Sequence, residues 1–126
     1  MFKKIFFTVA LILLAVPVLA ADSTITFGWD QSDVARVTGW RLYQSDTAGG
    51  PYTQAGSDII YDGTSTEFTS DYVLDVPANA ETTYYFVVRA YNEYGESGNS
   101  NEVSKTYNTQ VPQPPFTLII KVVVGP

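Results

Sequence analysis

The chain contains no cysteine and no histidine. Without cysteine there are no disulfide staples, no thiolate nucleophile and no lipid-bearing cysteine after the N-terminal hydrophobic run. Without histidine the commonest general base and the commonest metal ligand are both missing. A Ser-His or Cys-His catalytic pair therefore cannot be built. Basic residues are scarce as well, 7 Lys and Arg against 13 Asp and Glu. Such a surface repels phosphate backbones and anionic lipid surfaces, so neither nucleic acid nor a membrane surface is an expected partner. No phosphate-cradling glycine loop and no calcium-loop pattern occurs. Beyond the N-terminal run no segment keeps a helical period, and there is no internal repeat or low-complexity tract.

What is present begins with an export signal. Lys3 and Lys4 precede an apolar run from Ile5 to Val16, Pro17 breaks it, and Val18-Leu19-Ala20 fits the rule for cleavage after Ala20. The run is shorter than the ~20 residues of a helical span, so no stable membrane insertion is expected after cleavage. The expected destination is a periplasm, a cell surface or the medium. Removing the first 20 of 126 residues leaves 106, and losing Lys3 and Lys4 leaves 5 basic residues against 13 acids, a net charge of −8. That length suits one domain whose core must hold it without cross-links.

The rest reads as short strands. Ser23 to Trp29 sets Ile25, Phe27 and Trp29 on one face against Thr24, Thr26 and Gly28. Gly39 to Gln44 points Trp40 and Leu42 inward and Arg41 and Tyr43 outward. Gly49-Gly50-Pro51 is a turn, and Pro51 to Gly56 can form only a short edge strand because Pro51 has no N–H to donate. Ile59 to Tyr61 predicts another short strand, closed by the Asp62-Gly63 turn, and Glu67 to Val76 carries Tyr72, Leu74 and Val76 on one face before Pro77 to Glu81 end it. Thr83 to Ser104 is the most informative stretch. Tyr84, Phe86, Val88 and Ala90 alternate against Tyr85, Val87, Arg89 and Tyr91, a polar turn spans Asn92 to Asn101, and a second strand runs from Glu102 to Thr106. Six or seven such strands predict an all-β antiparallel sandwich, with Trp29 and Trp40 buried across its two sheets.

Between Ile25 and Thr106 the chain resembles a fibronectin type III domain. Trp29 stands where that family has its strand-B tryptophan, and Val37-Thr38-Gly39-Trp40-Arg41-Leu42-Tyr43 is similar to its strand C. Val76-Pro77 resembles the Leu before the family's Pro-Gly turn, and Tyr84 the strand-F tyrosine that closes the E–F corner. Gly95-Glu96-Ser97 and Ser100-Asn101-Glu102-Val103-Ser104 look like the F–G loop and G strand of exported bacterial modules. The resemblance implies an immunoglobulin-like sandwich of fibronectin type III topology, and no activity with it. Two features depart from the pattern. The Ala78 to Thr83 turn is longer and lacks glycine, and only Ala21 to Thr24 remain for strand A, which is expected to be weak or missing.

A proline-rich linker, Tyr107 to Pro115, leads to a β-prone segment, Phe116 to Val124. A free strand this apolar would invite aggregation, so it must pair with something. Nine linker residues reach at most ~30 Å, against ~33 Å for a ten-residue strand. Return to the A position in its usual direction is barely attainable. The expected arrangement is an extra C-terminal strand beside strand G of the same chain. The alternative is self-association, with Phe116 to Val124 filling a neighbour's vacant A position.

For function the outward face is the candidate. Arg41, Tyr43, Tyr85, Arg89 and Tyr91, with Val87 between, fall on one side of two adjacent strands. Tyr and Arg are enriched at interface centres, and flat tyrosines also suit sugars. The same residues are good strand formers whose cross-strand contacts stabilise a solvated face. Tyr94, in the polar turn, is the loop candidate. The near pairs Asp30 with Asp33, Asp58 with Asp62 and Asp71 with Asp75 read as surface acids that keep a small sandwich soluble. No catalytic, cofactor or metal residue is assigned. The expectation is an exported, non-enzymatic binding or adhesion module that contacts protein or polysaccharide. Its rival is a structural subunit that assembles through the C-terminal strand.

Overall fold

A computed structural model of the chain describes residues 21–122 and 125; the expected leader, residues 1–20, and positions 123 and 124 of the expected C-terminal strand lie outside the described residues. The described residues are all-β. The strands are β1 (Ala21–Trp29), β2 (Gly39–Ser45), β3 (Thr53–Gln54), β4 (Ile59–Ile60), β5 (Phe68–Val76), β6 (Glu81–Asn92), β7 (Gly95–Glu96) and β8 (Val103–Asn108). They form two antiparallel sheets of a β-sandwich. One is β1 with β5, and the other runs β3-β2-β6-β7, with β4 also on β2 and β8 also on β6. Among the described residues β1 has one neighbour, so its other edge is open.

Alternation sets which side chains meet between the sheets. Ile25, Phe27 and Trp29 are half-buried while Thr24, Thr26 and Gly28 are exposed, and β1 extends two residues further back than Ser23, to Ala21. Leu42, Leu74, Val76, Tyr84 and Phe86 form the core with Ala55. Each large apolar side chain buried this way contributes about 1.5–3 kcal/mol. The Tyr84 hydroxyl donates to the Asp75 carbonyl at 3.4 Å and so closes the β5–β6 corner. Trp29 and Trp40 meet across the sheets edge to face at 5.4 Å. Trp40 is 2% exposed, as expected, but Trp29, expected to be buried, is only half-buried because it ends β1 at the rim of the sandwich, and its Nε1 is buried with no acceptor among the described residues.

Four further expectations are corrected. Val87, placed outward by its phase, is 3% exposed. It does lie on the outer face, but Tyr43 opposite it and Tyr85 and Arg89 two residues either side enclose so small a side chain. Val88, placed in the core, is half-buried. The reason is that β8 pairs with β6 only up to Phe86↔Val103; beyond it, Ser100 N–H to Val88 O (2.9 Å) and Ser97 N–H to Ala90 O (2.8 Å) are the backbone ties. The expected single turn from Asn92 to Asn101 is instead a tight hairpin, Asn92 paired with Gly95, that yields β7. Finally, residues 116–122 form no strand beside β8, and Phe116, Leu118 and Ile120 are exposed. The chain is carried off the end of the sandwich first. Thr109 bonds Pro77 O (2.7 Å) and Ala80 O (2.8 Å), and the Val111 N–H reaches Asn79 Oδ1 (3.4 Å). Pro112, Pro114 and Pro115 then favour extension over a tight return.

The Asp62-Gly63 turn is held by the Asp62 carboxylate. It accepts the Thr64 and Ser65 N–H groups at 2.8 Å each and the Ser65 hydroxyl. These bonds, the Ser65 hydroxyl first, lower the Asp62 pKa to about 2. A carboxyl whose folded pKa lies below its unfolded value of about 3.9 stabilises the fold above that value and stops doing so as pH falls through the folded pKa. The stability gap between the wild type and Asp62→Ala should therefore be constant above about pH 5 and close between about pH 4 and 2. Urea midpoints of both proteins across that range check it, and a gap that does not change with pH contradicts it.

Candidate functional site

The register of β2 on β6 sets Arg41 directly opposite Arg89, Gly39 opposite Tyr91 and Tyr43 opposite Val87. Two like charges face to face across strands repel. The structure resolves this with an acid from a third strand. Glu96 of β7 pairs in register with Tyr91. Its carboxylate accepts Arg41 Nη1 at 2.9 Å, Arg89 Nη1 at 3.2 Å and the Tyr43 hydroxyl. Arg41 is clamped again from the other side by Asp58, which takes Nε at 2.9 Å and Nη2 at 3.1 Å and is itself held by Gln54 at 2.7 Å. Arg89 Nε donates to Asn99 Oδ1 at 2.6 Å.

The guanidinium planes also cover aromatic rings. Arg41 lies 4.0 Å from the Tyr91 ring centre, and Arg89 lies 4.1 Å from that of Tyr43. Each such contact is worth about 0.5–1 kcal/mol at an exposed site. Arg41, Arg89, Asp58 and Glu96 are 25–38% exposed, so the ion pairs are screened and contribute little individually. Together they hold four long side chains in one geometry.

The protonation states follow. Hydrogen bonds from Arg41 and then Gln54 hold the Asp58 carboxyl below its usual range. The Tyr43 hydroxyl, followed by Arg41, does the same for Glu96. The bond to Glu96 raises the Tyr43 phenol, and bonds to Asp58 and Glu96 raise Arg41 further. At neutral pH the lattice carries two positive and two negative charges. It is an electrically balanced patch on a chain of net charge −6.

Four of the five residues singled out from the sequence, Arg41, Tyr43, Arg89 and Tyr91, are brought into direct contact. Tyr85 shares their face, opposite Ser45, but among the described residues it makes none of these contacts. Tyr94 is 89% exposed at the hairpin tip, its N–H bonded to Asn92 Oδ1 at 2.9 Å. It lines a shallow cleft of about 390 Å³ with Arg36, Tyr91 and Glu96, which joins the loop candidate to the lattice. Sequence reasoning missed Glu96, Asp58 and Asn99. Alternation alone gave no signal for Glu96, because the Arg41–Arg89 register and the Asn92–Gly95 reversal that bring it in are set by strand pairing. Among the described residues there is no group of three or more metal-ligating side chains, and no helix is long and apolar enough to cross a membrane.

The fold and this face define an antiparallel β-sandwich with a pre-formed arginine–tyrosine surface on its larger sheet. No protein-family model matches the chain, and no curated protein matches it.

Proposed function

We propose that this chain is an exported, non-enzymatic contact module of fibronectin type III type, acting at or outside the cell envelope through the outer face of β2 and β6. The leader pattern of residues 1–20 supports export. The order of the motifs from Trp29 to Val103, the Trp29–Trp40 contact and the Tyr84–Asp75 corner support the family reading.

The lattice of Arg41, Arg89, Tyr43 and Tyr91 around Glu96 is the observation that carries the binding reading. Binding normally costs about 0.5–1.5 kcal/mol per long side chain that must be ordered. Here those side chains are already held, so that cost is largely met before the partner arrives. The geometry favours a protein partner over a polysaccharide. Sugar stacking uses open ring faces, and a guanidinium takes one of the two faces of both Tyr43 and Tyr91, which leaves less aromatic surface for a sugar than for side chains that pair with the charged groups. A protein surface can instead use the guanidinium edges and the carboxylates of Asp58 and Glu96.

The test is a protein and glycan binding screen with the chain starting at Ala21, run beside the double variant Tyr43→Ala with Arg89→Ala. Both positions are partly exposed, so the variant should keep its cooperative unfolding. A protein ligand found for the wild type should bind the variant at least about 30-fold more weakly, the scale of a hot-spot truncation. Equal affinity of both proteins would remove the lattice from the binding surface. A hit confined to glycans would transfer the reading to carbohydrate attachment.

A further inference from the structure

A second surface lies along the free edge of β1, and Asn99, which holds Arg89, stands on its border with the arginine–tyrosine face. Between the open edge of β1 and the stretch that replaces pairing after Phe86 lies a cleft of about 470 Å³. Phe27, Trp29, Phe86, Val88 and Val103 line it, together with polar backbone around Ser100. The core is uncovered here: Val88 is half-buried and Val103 exposed. An open strand edge beside an uncovered core is the site a further strand would fill.

The chain carries a segment that fits. In extended form Phe116, Leu118, Ile120 and Val122 fall on one face, with Thr117, Ile119 and Lys121 on the other. These four apolar side chains are exposed, Leu118 by 97%. Seven residues in strand form span about 23 Å, within the length of the nine-residue β1. The outer face of β1 and β5 carries Asp22 beside Asp75 and Asp71 beside Thr26. An added strand that turns its apolar face into the cleft presents Lys121 to those aspartates.

We propose that the open edge of β1 and the adjoining cleft receive residues Phe116–Val122 of a second copy of this chain as an added antiparallel strand. The geometry excludes the chain's own segment in that orientation. The chain leaves the sandwich at the turn of residues 77–80, beside the start of β1, because Val76 pairs with Ala21 and Val111 is tied to Asn79. An antiparallel strand must begin at the other end, next to Trp29. From Val111 to Phe116 the chain reaches at most about 18 Å, whereas β1 is about 30 Å long. A neighbour's segment has no such limit, and antiparallel pairing is the more stable kind. Donor and acceptor are different surfaces, so the contact is head-to-tail and propagates into a ring or a filament.

The experiment is light scattering on a sizing column with the chain starting at Ala21, loaded at about 0.1 mM, where a micromolar contact is saturated. The wild type should elute as multiples of the monomer mass, shifting with dilution. Ile120→Lys, a change at an exposed position that leaves the sandwich core untouched, should elute as a folded monomer. Thr117→Lys, the same charge on the outward face, should assemble like the wild type. Amide exchange on the wild-type assembly should show protection of 116–122 and new protection within Ile25–Trp29, relative to the Ile120→Lys monomer. A monomeric wild type overturns the proposal, including one whose tail is protected by its own chain. So does assembly that survives Ile120→Lys, or assembly that protects the tail without protecting β1.

Discussion

Replacing Trp40 with alanine should cost about 3–5 kcal/mol of folding stability, the range for truncating a buried aromatic. Its ring is 2% exposed and lies 4.6 Å from Phe68 and 5.4 Å from both Trp29 and Tyr61. Those partners come from β5, β1 and the residue after β4, so one side chain ties both sheets and the short β4 strand together at this end. Trp40 Nε1 also reaches Gln31 Oε1 at 3.4 Å, which fixes the connection leaving β1. Trp29→Ala should cost clearly less. Trp29 is half-buried, and its Nε1 is buried with no acceptor among the described residues, so truncation also removes an unmet donor that costs about 1–3 kcal/mol. Urea unfolding of the two variants measures the difference. Near-wild-type stability of Trp40→Ala would mean that this aromatic cluster does not join the sheets, and equal losses would mean that the buried Trp29 donor is not a net cost.

Gly39→Ala is expected to damage fold and face together. A Cβ at this position would overlap the Ile59 carbonyl oxygen and come within 2.9 Å of the Tyr91 hydroxyl and 3.0 Å of its ring. The Ile59 carbonyl cannot yield cheaply, and Tyr91 can do so only by leaving its place under Arg41. Gly39 pairs with Ile60 on one side and Tyr91 on the other, so the Ile59 carbonyl is backbone held by the same ladder. The Tyr91 ring lies under the Arg41 guanidinium. Overpacking of this kind costs about 1–3 kcal/mol. It should also push Tyr91 outward and release Arg41 from its ring, so a ligand of the face should be lost along with stability. Thermal unfolding and ligand affinity of the same variant check both parts. Wild-type values for both would show that β4 does not pack as tightly as its pairing implies.

Strand phase was readable because it is local. Ile25, Phe27 and Trp29, or Trp40 and Leu42, reveal their buried face by alternation alone, and the Tyr84 corner follows from the motif that carries it. The lattice was half readable. Alternation puts Arg41, Tyr43, Arg89 and Tyr91 on one face, but Arg41 meets Arg89 only through the register of two strands far apart in sequence. Glu96 enters only because the chain reverses within the Asn92–Gly95 hairpin. Burial of Val87 depends on the sizes of its neighbours, and partial exposure of Val88 on where β8 stops, neither of which is a local property. The β propensity of Phe116–Val122 was plain, but propensity does not name a partner strand. The ties of Thr109 and Val111 to the 77–80 turn decide that the segment leaves the sandwich rather than lying beside β8.

The contact role of the β2–β6 face is tested most directly by an amide-exchange footprint of the chain with the protein ligand that the binding screen identifies. Ligand addition should slow exchange in β2, the Arg89–Glu96 stretch and the Asp58 turn, with β1 and β5 unchanged. Protection confined to β1 and β5, with Arg41, Arg89 and Glu96 unaffected, would contradict it.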